Sequence, residues 1–300
     1  MKKLLSVLLV VIIAGSVWYF FIKDFNYIVR FEANHAKGTV HKALSLWKAN
    51  AYDGVDSVYI QNSDPFTGLE QKVWLKDHAL TYRWKIKTIN DSVSKVVAYI
   101  KDDENSVKRN WEVIFGNSEF VDLNLQLLQK ISGGINVLNE RYTIQQSDSI
   151  QYVESRHCAY ISLESSITNK AQTMMNNIQV ITSYLKSNNI PISDDPFLQV
   201  TSIDFDNDKM TFDFCFPVTK SSRYPQSQKV SFKDVEGFNA LKATYYGNYS
   251  RSDHAWFRLM EIAERKQVEI NQLPIEIYRD DPHNTPNELS WQADVFMPLK

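Results

Sequence analysis

Ala243-Thr-Tyr-Tyr-Gly-Asn-Tyr249, Leu273-Pro-Ile-Glu-Ile-Tyr278 and Trp291-Gln-Ala-Asp-Val-Phe-Met-Pro298 are three short runs near the C-terminus, with an amphipathic helical stretch between the first two. A fainter copy lies some eighty residues earlier: Cys158-Ala-Tyr-Ile161, a helical stretch, Asn189-Ile-Pro191, then Phe212-Asp-Phe-Cys-Phe-Pro217. Setting Pro217 on Pro298 matches Phe216 with Met297, Phe214 with Val295 and Asp213 with Asp294. Pro191 falls on Pro274 within two residues, a coincidence hard to reach by chance in a chain of nine prolines. Two copies of one unit predict a pseudo-two-fold domain with a cleft where the halves meet. The second copy alone carries a carboxylate beside a tyrosine, Glu276 and Tyr278.

The helical stretches support the duplication. Ala171, Met174, Met175, Ile178, Ile181 and Leu185 form one face of the first. Ala255, Trp256, Leu259, Met260 and Ala263 do so in the second, with Ser250 or Ser252 as its N-cap.

Upstream, Lys2 and Lys3 precede the apolar run Leu4–Ile22, which is long enough to cross a bilayer as a helix. A cleaved signal peptide starts the same way. The run ends in Trp18-Tyr-Phe-Phe21 and Lys23, groups suited to a headgroup interface, and no small-x-small site follows, so an uncleaved anchor over residues 1–23 is predicted. Its flanking charges favour the N-terminus inside, with the domains on the extracytoplasmic side.

The 300 residues suffice for two domains with separate cores. A net charge of −2 without a Lys/Arg block lacks the electrostatic footprint of a nucleic-acid binder, so no nucleic-acid partner is expected. Six scattered histidines show no metal-ligand spacing, and neither a metal nor another cofactor is predicted. Walker, Rossmann and GxSxG patterns are missing. The two cysteines, Cys158 and Cys215, read as buried thiols, with a single bridge as the alternative outside the cytoplasm.

Between anchor and repeats, Phe25–Ala33 alternates as a strand and 36–50 reads as a helix. Strand-like runs follow at Ser57–Gln61, Gln71–Leu75, Leu80–Ile89, Ser92–Ile100 and Val107–Ile114. Phe120–Leu138 reads as a helix, bent or interrupted at Gly133-Gly134. This order of elements resembles the START/polyketide-cyclase (SRPBCC) superfamily over residues 24–145, which implies a helix-grip antiparallel sheet around a cavity. Trp74, Tyr82 and Trp84 would line that cavity or fill a core. The polar stretch Thr143–Ile150 is the expected domain boundary.

The C-terminal runs resemble the GyrI-like family of effector-binding domains, also found attached to AraC- and MerR-type regulators. The matching pieces are Ala243 through Gly247-Asn-Tyr249, Trp256, Pro274-Ile-Glu-Ile-Tyr278 with Asp281-Pro282, and Phe296-Met-Pro-Leu299. The resemblance covers 151–300, as repeats 151–218 and 229–300. It implies an α+β fold of two strand–helix–strand–strand units with a ligand in the cleft between them. Relatives that bind cationic drugs hold the glutamate corresponding to Glu276 low in that cleft among aromatic rings. Others hydrolyse reactive molecules with it.

Strand alternation places Glu276 and Tyr278 on one face, with Ile275 and Ile277 on the other. If the isoleucines pack on the helices, Glu276 points into the groove. A carboxylate partly desolvated among Tyr246, Tyr249, Tyr278 and Trp291 can pair with a ligand cation, helped by ring faces, or act as a general base. On the residues alone, Glu276 also reads as an ordinary solvent-facing strand residue. The resemblance selects the site: ligand-binding residues Glu276, Tyr278, Tyr246, Tyr249 and Trp291, with Glu276 catalytic only in a hydrolase. The expected function is binding of a small, lipophilic or cationic aromatic ligand by a membrane-anchored protein. The alternatives are a detoxifying hydrolase and a non-catalytic envelope interaction protein.

Overall fold

The computed structural model describes residues 2–49, 52–76, 78–116 and 118–300, with the side chains of Lys2 and Asp148 left aside. The N-terminal apolar run is helical: α1 (Lys2–Val17) continues into a wider π-helical turn, Trp18–Ile22. Lys3–Ile22 is long and apolar enough to cross a membrane.

The chain forms two units, one comprising residues up to Ile89 with Val93–Asn136, the other Asn90–Ser92 with Val137–Lys300. In the first, β1 (Tyr27–Ala33) and α2 (Lys37–Leu46) precede β2 (Val55–Asp64), β3 (Gly68–Leu75), β4 (His78–Asn90) and β5 (Val93–Asp102). α3 (Ser106–Phe115) and α4 (Glu119–Asn136) close the unit. Its five-stranded sheet has the order β1-β5-β4-β3-β2, and α4 lays Phe120, Leu127, Leu128, Ile131 and Ile135 on its core. Tyr82 and Trp84 fill that core. Gln71, also buried, pairs both ends of its amide: Oε1 accepts from Trp47 Nε1 at 3.1 Å and Trp84 Nε1 at 2.8 Å, while Nε2 donates to the Leu44 carbonyl at 2.8 Å. Such pairing is what lets an amide sit in an apolar core.

Four sequence expectations change here. Trp74 faces away from Tyr82 and Trp84 and meets Tyr59 edge-on at 5.7 Å. The glycine pair Gly133-Gly134 lies inside a continuous α4. The first helix ends at Leu46, and its expected terminus, Asn50, lies outside the described residues. Val107–Ile114 is helical rather than a strand. Arg109 and Asn110, adjacent in sequence, both turn inward, which a helical turn permits and a strand does not. Arg109 Nε donates to Asp102 at 2.9 Å and Nη1 to Glu112 at 2.8 Å, and Asn110 Oδ1 accepts from Asn26 at 2.9 Å.

In the second unit, the duplication is explicit. β7 (Arg156–Ser165), α5 (Lys170–Ser187), β8 (Phe197–Asp204) and β9 (Lys209–Pro217) make one strand–helix–strand–strand unit. β11 (Phe238–Gly247), α6 (Asp253–Lys266), β12 (Ile275–Tyr278) and β13 (Gln292–Pro298) make the other. Each is led by a further strand, β6 (Tyr142–Val153) or β10 (Ser231–Val235), in an eight-stranded sheet of order β10-β7-β9-β8-β12-β13-β11-β6. The lead-in strands are exchanged: β6 pairs with β11 and β10 with β7. Because only Glu154-Ser155 links β6 to β7, and only Glu236-Gly237 links β10 to β11, the sheet must curl until its edges approach. The polar segment Thr143–Ile150, expected as a boundary, lies within β6. As an edge strand it needs no continuous apolar face, which is why its pattern is faint.

The pseudo-two-fold axis passes between β8 and β12. Glu276 stands opposite Leu198, with Ile275 opposite Gln199 and Ile277 opposite Phe197. Under this symmetry Leu198 is the counterpart of Glu276. The bonds Tyr278 N–H to Pro196 O (3.0 Å) and Val200 N–H to Pro274 O (3.1 Å) are likewise equivalent, so the partner of Pro274 is Pro196 and not Pro191. Symmetry also governs the buried acids: Ser162 donates to Asp213 at 2.6 Å and Thr244 to Asp294 at 3.2 Å, across equivalent strand pairs.

One sheet face packs on both helices, through Phe212, Phe214, Leu241, Tyr245 and Val295 against Ile181, Leu185, Trp256 and Leu259. The other buries Cys158, Phe197, Cys215, Ile275, Ile277 and Phe296, and both cysteines are free thiols. Gly247 sits at φ +146°, where a Cβ would lie 2.7 Å from the Tyr245 hydroxyl and 3.0 Å from the Arg141 carbonyl. Gly247→Ala is therefore expected to cost about 1–3 kcal/mol, read as a lower denaturation midpoint of this unit. An unchanged midpoint would show that the turn relaxes freely.

Candidate functional site

β12 is buried along its whole length, so both of its faces pack against the rest of the unit. Ile275 and Ile277 pack on the helix-free face, so Glu276 and Tyr278 point toward the helices. This reverses the packing under which the isoleucines would meet the helices. Glu276 is fully buried. Its Oε2 accepts from the Ser252 and Tyr278 hydroxyls, each at 2.7 Å, while Oε1 has no hydrogen-bond partner among the described residues. Ser252, expected as a helix cap, stands at the N-terminus of α6 without capping it through its side chain. Its hydroxyl is turned to the carboxylate instead. The only sequence sign of that role was its place at the head of the helix.

Beside this group lies a cavity of about 790 Å³ between the repeats. Met174, Met175 and Ile178 of α5, with Phe214 and Phe216 of β9, form the wall from the first repeat. Tyr249, Tyr278 and Trp291 form the wall from the second. The Tyr249 ring lies 4.7 Å from that of Tyr278 and 5.5 Å from that of Trp291, both tilted. Glu276 does not itself line the cavity; it stands behind Tyr278 and meets it through the phenol. Burial pushes the Tyr278 and Tyr249 phenols well above their ordinary range, so both remain protonated donors at neutral pH.

Tyr249 is also a structural tie. Its hydroxyl lies 3.0 Å from the Asp280 carbonyl and 2.9 Å from that of Gln292, and accepts from the Asp280 N–H at 3.2 Å. It thereby fastens the long connection from β12 to β13 over the cavity. Asp280 and Asp281 work as turn residues: Asp280 accepts from the Gln292 N–H at 2.8 Å, and Asp281 from the His283 N–H at 3.0 Å. That backbone bond holds the Asp281 carboxyl below the usual carboxylate range. Asp195, Asp280 and Asp281 all border the cavity, against Arg279 as the cation, and Arg279 is itself paired with Asp195 and Asp294. The rim is thus acidic.

Of the sequence-derived residues, the structure gathers Glu276, Tyr278, Tyr249 and Trp291. It leaves out Tyr246. On β11, Tyr245 is the tyrosine in the helix-facing core, and Tyr246 points from the opposite sheet face.

Two pseudo-symmetric strand–helix–strand–strand units enclosing an aromatic-walled cavity define a small-molecule-binding α+β domain. Residues 149–300 match the GyrI-like small molecule binding domain, and the chain belongs to the GyrI-like family. Among solved structures it is similar to an EcmrR–DNA complex, at 14% identity over 64% of this chain and 70% of that one, with a TM-score of 0.45. SAV2435 bound to tetraphenylphosphonium is 15% identical over 53% of this chain and 93% of that one, with a TM-score of 0.33. A hydrolase from Listeria innocua is 10% identical over 52% and 94%, with a TM-score of 0.35. No curated protein matches the chain.

Proposed function

We propose that this protein is a membrane-anchored receptor for a small lipophilic or cationic aromatic ligand, held in the inter-repeat cavity against Tyr249, Tyr278 and Trp291. The observation that carries the reading is a fully buried carboxylate, Glu276, with one oxygen unpartnered directly behind the aromatic wall. Leaving a buried acceptor unmatched is costly, and a positive ligand compensates it. Ring faces and the acidic rim add attraction of the same sign. The volume is that of a site for a drug-sized ligand. In this reading α1 crosses the bilayer with its N-terminus inside, and both folded units lie on the extracytoplasmic side.

Fluorescence titration of the full chain with tetraphenylphosphonium, and with a neutral tetraphenyl analogue of the same shape, tests the charge preference. The cation is expected to bind about tenfold tighter or better. Equal affinity would mean that shape alone selects the ligand. The hydrolase alternative asks Glu276 to activate a water. Its complete burial behind two tyrosines favours binding over that role, and steady-state turnover of reactive esters abolished by Glu276→Ala would reverse the choice.

A further inference from the structure

α3 is amphipathic in an inverted sense. Its inward side carries Arg109 and Asn110 in a buried polar network, and the Arg109 guanidinium lies 4.3 Å from the Phe120 ring centroid. Its outward side carries Val107, Trp111, Ile114 and Phe115, spaced to form one helical face. Those four side chains are 40%, 50%, 49% and 72% exposed, which is unusual for so concentrated an apolar group on a short helix.

This face is continuous with the end of the candidate membrane span. Phe20 stacks on Trp111 at 4.8 Å, and Trp111 stacks on Phe115 at 5.2 Å. Asn110 Nδ2 donates to the Tyr19 carbonyl at 3.1 Å, within the π-helical turn where the i→i−4 pattern is interrupted. Trp18, Phe21 and Ile22 of that turn are exposed too, and Lys23 lies over the Tyr19 ring at 4.0 Å. The last turn of the span is therefore fastened to α3 inside one folded unit, and the apolar surface runs unbroken from one to the other.

We infer that α3 is a bilayer-contacting helix, lying in the headgroup–acyl boundary beside the span with Val107, Trp111, Ile114 and Phe115 inserted. The inference rests on α1 as a membrane span. Aromatic residues concentrate at that depth because their rings are apolar and their edges polar, and a helix with one apolar face lies in the plane of the interface. Lys108, exposed at the flank of the same helix, is placed to meet lipid phosphate. Two linked insertions, span and α3, would hold the unit at a set angle to the bilayer instead of leaving it to swivel on a tether.

The test uses the full chain in phosphatidylcholine–phosphatidylglycerol vesicles carrying a nitroxide-labelled lipid. The variants Phe115→Cys, Ile12→Cys and Tyr59→Cys, each adding one cysteine to the two buried native ones, are labelled with a small fluorophore, and wild type treated with the same reagent checks that Cys158 and Cys215 do not react. Circular dichroism confirms that each variant folds. The Phe115 label is expected to be quenched by the lipid nitroxide about threefold more than the Tyr59 label, and protected from aqueous iodide. Quenching at Ile12 with none at Phe115 above the Tyr59 level overturns the inference while leaving the span intact. Failure at both positions removes the span reading as well. A Phe115 label shielded from lipid and iodide alike would mean that a protein surface covers α3, which also overturns it.

Discussion

Glu276→Gln is expected to weaken binding of an aromatic monocation by about ten- to a hundredfold and to leave a neutral ligand of the same shape nearly unaffected. The substitution is close to isosteric. Glutamine keeps an amide oxygen to accept from Tyr278 and Ser252, which now donate to Oε2 at 2.7 Å each. What disappears is the charge. At an effective dielectric of about 20 and a separation of about 6 Å, a charge pair is worth about 3 kcal/mol, and partial solvent screening at the cavity mouth brings this toward about 1.5 kcal/mol. The unliganded protein should lose little, because the substitution removes a buried charge one of whose oxygens has no partner among the described residues. The expected pattern is thus weaker cation binding with an unchanged or raised denaturation midpoint, measured by calorimetric titration and thermal melting. Equal losses for cation and neutral ligand would assign Glu276 a shaping role. No loss for either would move the binding site elsewhere.

Asp294→Ala is expected to cost the second unit about 2–3 kcal/mol. Asp294 is buried, and its Oδ2 accepts from Arg279 Nε at 3.0 Å and Nη2 at 2.8 Å. Lys242 Nζ lies 3.1 Å from Oδ1, which also accepts from Thr244. Removing the acid leaves two cations facing each other. They retain some water, since Arg279 is 35% and Lys242 23% exposed, so the cost falls at or below the lower end for a broken buried pair. Arg279 also grips Asp195 at the cavity rim, so ligand affinity should fall with stability.

Burial alone would raise the Asp294 carboxyl, but the bonds from Arg279 and Lys242 hold it below the usual carboxylate range. A folded-state value below the unfolded one stabilises the protein above the unfolded value of about 3.9 and is lost as pH falls through the folded value. The stability gap between wild type and Asp294→Asn should accordingly be flat from about pH 5 to 8 and close below about pH 4. Hydrogen exchange of β11 and β13 follows it without interference from the first unit. A gap that widened on acidification would contradict the sign of this linkage.

Much of the second unit was legible because duplication is a sequence property. Two helix stripes and an aspartate at each equivalent place in the last strand describe the architecture, whereas the proline matched to Pro274 was Pro191 and the equivalent one is Pro196. The pairing of Glu276 with Tyr278 on one strand face follows from a two-residue period. Which face carries the helices does not, because β12 is buried on both sides and the strand alone does not say which buried face meets them. The same ambiguity separates Tyr245 from Tyr246: neighbours on a strand face opposite ways, and composition cannot choose between two tyrosines. α3 was misread for a related reason. Its β-branched and aromatic residues suit a strand as well as a helix, and only the inward turn of Arg109 and Asn110 toward Asp102 and Asn26 settles the helix.

The sequence by itself determined the repeat, the apolar N-terminal helix and the strand that holds the carboxylate, since periodicity and spacing are local and survive without a fold. Tertiary structure alone decided that Leu198 and Glu276 face each other across the pseudo-two-fold axis, where the two copies differ. It alone placed Ser252 on the carboxylate, seated Tyr249, Tyr278 and Trp291 around one cavity, and sent Tyr246 to the far side of the sheet. The physical reason is burial on both faces of a curled sheet. A strand buried on both sides then carries no exposed face to orient it, and the direction of its side chains is set by partners distant in sequence.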